Sequence, residues 1–288
     1  MKNLDRRTAM KAAAATALSL TQRLDAADAA IKGRVNHSVC KWCYRNIALE
    51  DLCKQAKEIG LHSIELLGPE DWPMLKKYNL TCAMGSGAVN KGIGGIPKAF
   101  NRLEHHDALI EVYSDFIPKA AGAGLENLIC FSGNRDGMSD EQGMENCAVG
   151  LKKLMPLAEK HKVNVVMELL NSKVNHKDYM CDHTEWGVEL AKKVGSERFK
   201  LLYDIYHMQI MEGDVIATIK KYHPYIAHYH TGGVPGRAEI DETQELYYPA
   251  IMKAIVDTGF RGFVAQEFIP KREDKIGSLK QGVRICDV

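Results

Sequence analysis

The chain has 288 residues, 38 basic and 37 acidic side chains and a formal charge of +1, so no net field draws it to nucleic acid or to an anionic membrane, and a small-molecule partner is favoured. Its 45% hydrophobic and 26% charged residues are those of an ordinary globular protein. No apolar run reaches the roughly 18 residues of a membrane-spanning helix, and the length suits one large core in a single domain.

Residues 1–30 stand apart. Arg6 and Arg7 precede an alanine-rich stretch from Ala12 to Leu20, and Ala27-Asp28-Ala29 supplies an A-x-A cleavage pattern. That is the layout of a twin-arginine export signal, which places the mature chain in the periplasm. Export in the folded state would suit a protein that loads a metal before crossing. The alternative is an amphipathic, alanine-rich leader helix on a cytoplasmic protein. Either way residues 1–30 are a leader and residues 31–288 the folded domain.

From Gly33 onward, short β-rich runs alternate with longer stretches of helical spacing. The strand candidates are residues 34–39, 63–67, 80–84, 125–131, 164–168, 200–204, 225–230 and 262–267. Between them, apolar residues recur at helical intervals, as in Leu52-Cys53-Ala56-Ile59, Ala148-Leu151-Leu154-Leu157 and Ile251-Ile255. Gly60, Gly124 and Gly259 close three of these stretches as helix stops. Eight strand-then-helix units predict a single parallel (β/α)8 TIM barrel. The eight cysteines are scattered without a disulfide framework, and Cys40-Lys41-Trp42-Cys43 lacks the second half of a zinc site, so these thiols are expected to be buried or in loops.

In such a barrel the chemistry gathers at the C-terminal ends of the strands. Four consecutive strands end in ionisable groups: Glu168, Asp204, His230 and Glu267. Strand alternation allows all four to point inward. Three carboxylates meeting in a poorly solvated pocket must take up protons or hold a cation. Three oxygen ligands with one imidazole and no thiolate suit one hard or borderline divalent ion, Mn²⁺ or Mg²⁺.

The stretch AHYHTGGVPGRAEID, residues 227–241, extends that reading. His230 is a candidate ligand, Gly232 and Gly233 would let backbone approach a substrate, and Arg237, set by Pro235 and Gly236, would clamp a substrate carboxylate. The competing assignment pairs Arg237 with Glu239 or Asp241 in a surface loop. His207, three residues after Asp204, is expected to turn back and bind a substrate oxygen, or to serve only as a helix-start histidine. Glu65 would orient His62 or a substrate hydroxyl, or make a barrel-mouth salt bridge. Trp42, Tyr44 and Trp72 could wall the pocket or simply pack helix to barrel. The loop CFSGNRDG, residues 130–137, is expected to line the mouth.

The segment PGRAEIDETQELYYP (Pro235–Pro249), with MELLN around Glu168, YDIYHMQ from Tyr203 and GFVAQEF around Glu267, resembles the hydroxypyruvate isomerase family, one of the xylose-isomerase-like barrels. The resemblance runs from about Val35 to the C-terminus. It implies Glu168, Asp204, His230 and Glu267 as ligands of one metal, with Glu168 and Glu267 also serving as acid and base. At the third ligand, bacterial hydroxypyruvate isomerases carry Gln, whereas His230 is similar to the sugar-epimerase branch.

The implied chemistry is metal-assisted proton transfer on an α-hydroxycarbonyl compound through an enediolate, for example hydroxypyruvate to tartronate semialdehyde. Delivery of the proton to the neighbouring carbon is isomerisation, and delivery to the same carbon is epimerisation, so a ketose 3-epimerase or another sugar isomerase is the competing reading. An exported, non-catalytic sugar-binding protein would have no use for four ligands. A multi-metal nuclease on the same barrel would need more His and Asp ligands and a basic face. No nucleic-acid partner and no membrane span are expected, and a homo-oligomer is compatible with the sequence.

Overall fold

The computed structural model describes residues 31–288, and the expected leader at 1–30 lies outside the described residues. Strand β1 (Asn36–Cys40) is followed by helix α1 (Leu49–Ile59) and β2 (Ser63–Glu65), then by α2 (Trp72–Lys77), α3 (His106–Ala123) and β3 (Asn127–Cys130). The repeat continues with α4 (Asp140–His161), β4 (Asn164–Glu168), α5 (Thr184–Val194), β5 (Phe199–Asp204), and the pair α6 (Ile205–Met211) and α7 (Val215–Tyr222). It ends with β6 (Ile226–Thr231), α8 (Tyr248–Asp257), β7 (Phe263–Gln266) and α9 (Lys275–Cys286).

Local chemistry accounts for the helix ends. Helix α1 buries Leu52, Cys53 and Ala56 on its apolar stripe, and Gly60 stops it in the left-handed region at φ +91°, where its N–H reaches the carbonyls of Ala56 and Lys57. Gly124 does the same for α3 at φ +81°. Ser139 caps the start of α4 by accepting from the Gln142 amide at 3.2 Å.

The strands pair in parallel in the order β2-β1-β7-β6-β5-β4-β3. The gap between β2 and β3 is bridged by residues 81–85, which fall short of a regular strand, in contrast to the strand expected at 80–84. Ile64 N and Leu66 N donate to the carbonyls of Thr81 and Met84, while Gly85 N donates to Asn127 O and Ile129 N to Gly85 O. At Ala83 both backbone groups are taken by side chains: its N–H donates to Ser63 Oγ at 2.8 Å, and its carbonyl accepts from Asn127 Nδ2 at 2.9 Å. The ladder is therefore interrupted at its midpoint, yet the barrel closes with eight staves.

The interior is lopsided. Met84, Ile129, Val166 and Leu202 form an apolar cluster on one side. Ser38, Ser63, Glu65, His228 and His230, on β1, β2 and β6, are also wholly buried. Polar residues that far from water need partners, and those partners shape the site. All eight cysteines are buried free thiols.

Candidate active site

Glu168 is the last residue of β4 and Asp204 the last of β5. His230 lies one residue before the end of β6, and Glu267 follows β7 directly. Asp204 also caps α6, its Oδ1 accepting from the His207 amide at 3.1 Å. The Glu267 amide donates to Thr231 O, which extends the pairing of β6 and β7 to the site itself.

These four side chains converge. One ligand atom from each lies within 4.8 Å of all the others, and all four residues are buried. Such separations match donors arranged around one ion at the usual 2.0–2.6 Å metal–ligand distances. Glu168 Oε1 is buried without a hydrogen-bond partner, as a ligand oxygen awaiting a cation would be. The residues therefore fit one divalent metal, and Glu168, Asp204, His230 and Glu267 would hold it.

The electrostatics show the strain of bringing these acids together. Burial pushes the Asp204 carboxyl up to about 8, with Glu267 and Glu168 adding to the rise against Arg237 and His230. Burial likewise raises Glu168, helped by the charge on Glu267. Glu267 is itself subject to burial, but Arg237 and His230 overcome it and hold this carboxyl well below the usual range. The two glutamates thus sit in opposed environments.

Arg237 reaches the mouth. Its Nη2 lies 3.1 Å from Asp204 Oδ2 and bonds Glu267 Oε2 as well, and its Nε donates to the Glu267 carbonyl at 3.3 Å. The guanidinium lies between Trp42 and Tyr206, 5.2 and 5.4 Å from their ring centroids. Glu239 and Asp241, the competing partners, are used elsewhere. Glu239 accepts from the amides of Lys271 and Arg272 and from Ser278 Oγ, while Asp241 pairs with Arg272. Those two acids anchor the loop, and Arg237, at φ +54°, turns inward from it.

The chain's own packing requires small residues at the two glycines before Arg237. A Cβ on Gly233 would stand 2.2 Å from Glu239 O, where the loop folds back through the Gly233–Ala238 pair, and one on Gly232 would press on Tyr206 at 3.0 Å.

His207 is entirely buried, and burial, reinforced by the charge on Arg237, keeps it neutral. Its Nδ1 accepts from the Asn171 amide at 3.1 Å, so the proton belongs on Nε2. Nε2 has no hydrogen-bond partner and stands 3.6 Å from Asp204 Oδ2, as a donor directed at the metal cluster. The ring packs against His176 and Tyr206.

Other expected residues part company. Glu65 does not orient His62, which is exposed at the opposite end of β2. It is wholly buried, and its Oε1 lies 2.8 Å from both His228 Nε2 and His230 Nε2. Its partners are therefore these two imidazoles rather than His62. Trp42 does belong to the site, its indole N–H donating to Glu267 Oε1 at 2.8 Å. Trp72 instead donates to Leu67 O, and Tyr44 is buried. In the 130–137 loop, Arg135 pairs with Asp182 and bonds the carbonyls of Tyr179 and Met180, which ties that loop to the one after β4.

Sequence reasoning missed Cys40, His228, Asn171 and His176. Cys40 ends β1 and lies 3.8 Å from His230 Nε2, and its place at a strand end was the available signal. His228 was legible as the inward neighbour of His230 two residues on. Asn171 closes the MELLN segment quoted above, but it and His176 sit in an irregular loop where no periodicity sets the side-chain direction.

A family profile described as "Xylose isomerase-like TIM barrel" matches residues 53–286, and this chain belongs to that family. Among curated sequences it is similar to the hydroxypyruvate isomerase of Escherichia coli K12, at 28% identity over 240 residues, 78% of this chain and 89% of that protein. It is also similar to a human putative hydroxypyruvate isomerase, at 31% identity over 106 residues, 37% of this chain and only 38% of the human protein's length. Among solved structures, an AP endonuclease, family 2, from Brucella melitensis superposes with a TM-score of 0.73 at 23% identity, covering 86% of this chain and 96% of that one. That likeness speaks for the fold.

Proposed function

We propose that this chain is a metal-dependent isomerase of small α-hydroxycarbonyl compounds, of the hydroxypyruvate isomerase kind, interconverting hydroxypyruvate and tartronate semialdehyde or a closely related pair. The observation that carries the reading is the convergence of Glu168, Asp204, His230 and Glu267 at one end of the barrel. The similarity to the Escherichia coli hydroxypyruvate isomerase, over most of both chains, supports the same class.

A divalent ion held there, Mn²⁺ or Mg²⁺, would supply Lewis-acid polarisation of the substrate carbonyl, an effect of several kcal/mol. The chain's own groups do the rest. Glu168 and Glu267 stand on different staves with opposed electrostatic environments. One removes the proton from the carbon bearing the hydroxyl, and the other returns a proton to the neighbouring carbon, while the hydroxyl proton passes to the former carbonyl oxygen. The Trp42 indole N–H and the Arg237 guanidinium fix the orientation of Glu267. His207 Nε2–H donates to a substrate oxygen. Arg237, the cation in the mouth, meets the substrate carboxylate, which favours an acid over a neutral sugar.

A ketose 3-epimerase is the second reading, favoured by the imidazole of His230 as the third ligand. The test is incubation of the purified chain and Mn²⁺ with hydroxypyruvate, tetroses and ketohexoses in D₂O. The expected result is deuterium beside the carbonyl of hydroxypyruvate and formation of its aldehyde isomer. Exchange only at C3 of a ketohexose would transfer the assignment to the epimerase, and no exchange with any compound would remove both. Export rests on Arg6, Arg7 and the A-x-A pattern. Replacing both arginines by lysine should retain the protein in the cytoplasm, as fractionation would show.

A further inference from the structure

The imidazole of His230 is gripped at both nitrogens. Nδ1 lies 2.8 Å from Glu267 Oε2 and 3.5 Å from Glu168 Oε1, on the side of the metal cluster. Nε2 lies 2.8 Å from Glu65 Oε1, on the side of the barrel interior. The same Glu65 oxygen lies 2.8 Å from His228 Nε2. Glu65, His228 and His230 are all wholly buried.

A carboxylate has no proton to give, so a ring nitrogen in contact with it must carry the hydrogen; in the metal-free chain that holds at both nitrogens of His230, and an ion among Glu168, Asp204 and Glu267 would take the place of the proton on Nδ1. A metal ligand must present a lone pair. A neutral imidazole has one of each, and which nitrogen is which depends on the bond made by the other. We propose that Glu65 is a positioning residue for the metal: it keeps the proton of His230 on Nε2 and so leaves Nδ1 as the lone pair facing Glu168, Asp204 and Glu267. His228, donating from its own Nε2, holds Glu65 in that pose. Cys40 Sγ, 3.8 Å from both Glu65 Oε1 and His230 Nε2, closes the remaining side with a weak donor that does not displace either bond. The inference rests on the metal reading above and adds to it a carboxylate from β2, on the far side of the histidine from the ion.

Glu65→Gln is the informative change because it keeps shape while adding a donor. The side-chain amide it introduces can donate to His230 Nε2 and drive the proton to Nδ1, where it blocks the ligand lone pair. Three readouts apply, none of them turnover. The Mn²⁺ dissociation constant, by titration calorimetry, should rise about 10–100-fold in Glu65→Gln, with an intermediate rise in Glu65→Asp, and the metal-free melting midpoint should stay near wild type. The ¹⁵N imidazole spectrum of the Mg²⁺-loaded wild-type chain, assigned by the resonance missing from His230→Gln, should show the proton on Nε2. The stoichiometry should be one ion per chain.

An Mn²⁺ affinity in Glu65→Gln within twofold of wild type would overturn the proposal, as would a proton on Nδ1 in the loaded wild type. A second ion bound at Glu65, His228 and His230 would also overturn it. If Glu65→Gln fails to fold, the wild-type spectrum still decides. A wild-type chain that takes up no Mn²⁺ would remove the metal reading itself, and that result needs no variant to be seen.

Discussion

Asp204→Asn separates the cost of gathering these acids from the benefit of neutralising them. Asp204 is wholly buried, and burial with its anionic neighbours pushes its carboxyl up to about 8. Its value in the unfolded chain is about 3.9. The folded, metal-free chain therefore binds the extra proton between about pH 4 and 8, and its stability is fully present below pH 4 and lost as the pH rises through 8. At about 1.4 kcal/mol per pH unit the ceiling is about 6 kcal/mol. Water entering the mouth reduces that, so we expect about 2 kcal/mol. Asn keeps the cap on the His207 amide and cannot ionise. Metal-free Asp204→Asn should accordingly match the wild type near pH 4 and exceed it by about 2 kcal/mol at pH 8. Saturating Mn²⁺ reverses the order. A metal at 100 times its Kd stabilises the wild type by about 2.7 kcal/mol, which is roughly 5–10 °C for a domain of this size, and the variant should lose most of that shift. Melting curves at pH 4, 6 and 8, with EDTA or with Mn²⁺, decide the matter. A metal-free variant less stable than wild type at pH 8, or one that keeps the full Mn²⁺ shift, would refute the reasoning.

Three further outcomes are expected. Glu168→Gln and Glu267→Gln should each slow deuterium exchange from D₂O into hydroxypyruvate by about 10²–10⁴-fold, because each removes one proton carrier. Trp42→Phe removes the indole N–H donated to Glu267 Oε1 and leaves a ring under Arg237. A bond to a charged group contributes about 1.5–3 kcal/mol, so kcat/KM should fall at least tenfold with little change in fold stability, as kinetics beside melting curves would show. His37, buried in β1, is pushed down to about 4 by burial, against the pull of Asp287. Its unfolded value lies near 6.5, so its contribution is present above pH 6.5 and lost as the pH falls toward 4, with a ceiling of about 3 kcal/mol. Urea midpoints between pH 4 and 7 should slope less in His37→Asn than in wild type.

Much of the architecture is written in short-range pattern. Alternating strand and helix periods predicted eight staves, and the left-handed glycines at 60 and 124 end their helices as expected. The residues where β4, β5, β6 and β7 finish could be read as a converging set, because in a parallel barrel the ends of neighbouring strands meet at one mouth whatever the loops do. The third stave was only half legible. Its pairing depends on Ser63 and Asn127 bonding Ala83 from either side, and neither contact is local in sequence.

The direction of individual side chains was beyond the sequence for the same reason. Arg237 had acids two and four residues away as plausible partners, yet the loop uses those acids on Lys271, Arg272 and Ser278 and sends the guanidinium to Asp204 and Glu267. Glu65 lies 163 and 165 residues from the two histidines it touches. Periodicity and strand-end position are properties of contiguous residues and survive in the sequence. Contacts across the closed barrel depend on register and on which buried group most needs a partner, and only the folded chain resolves that competition.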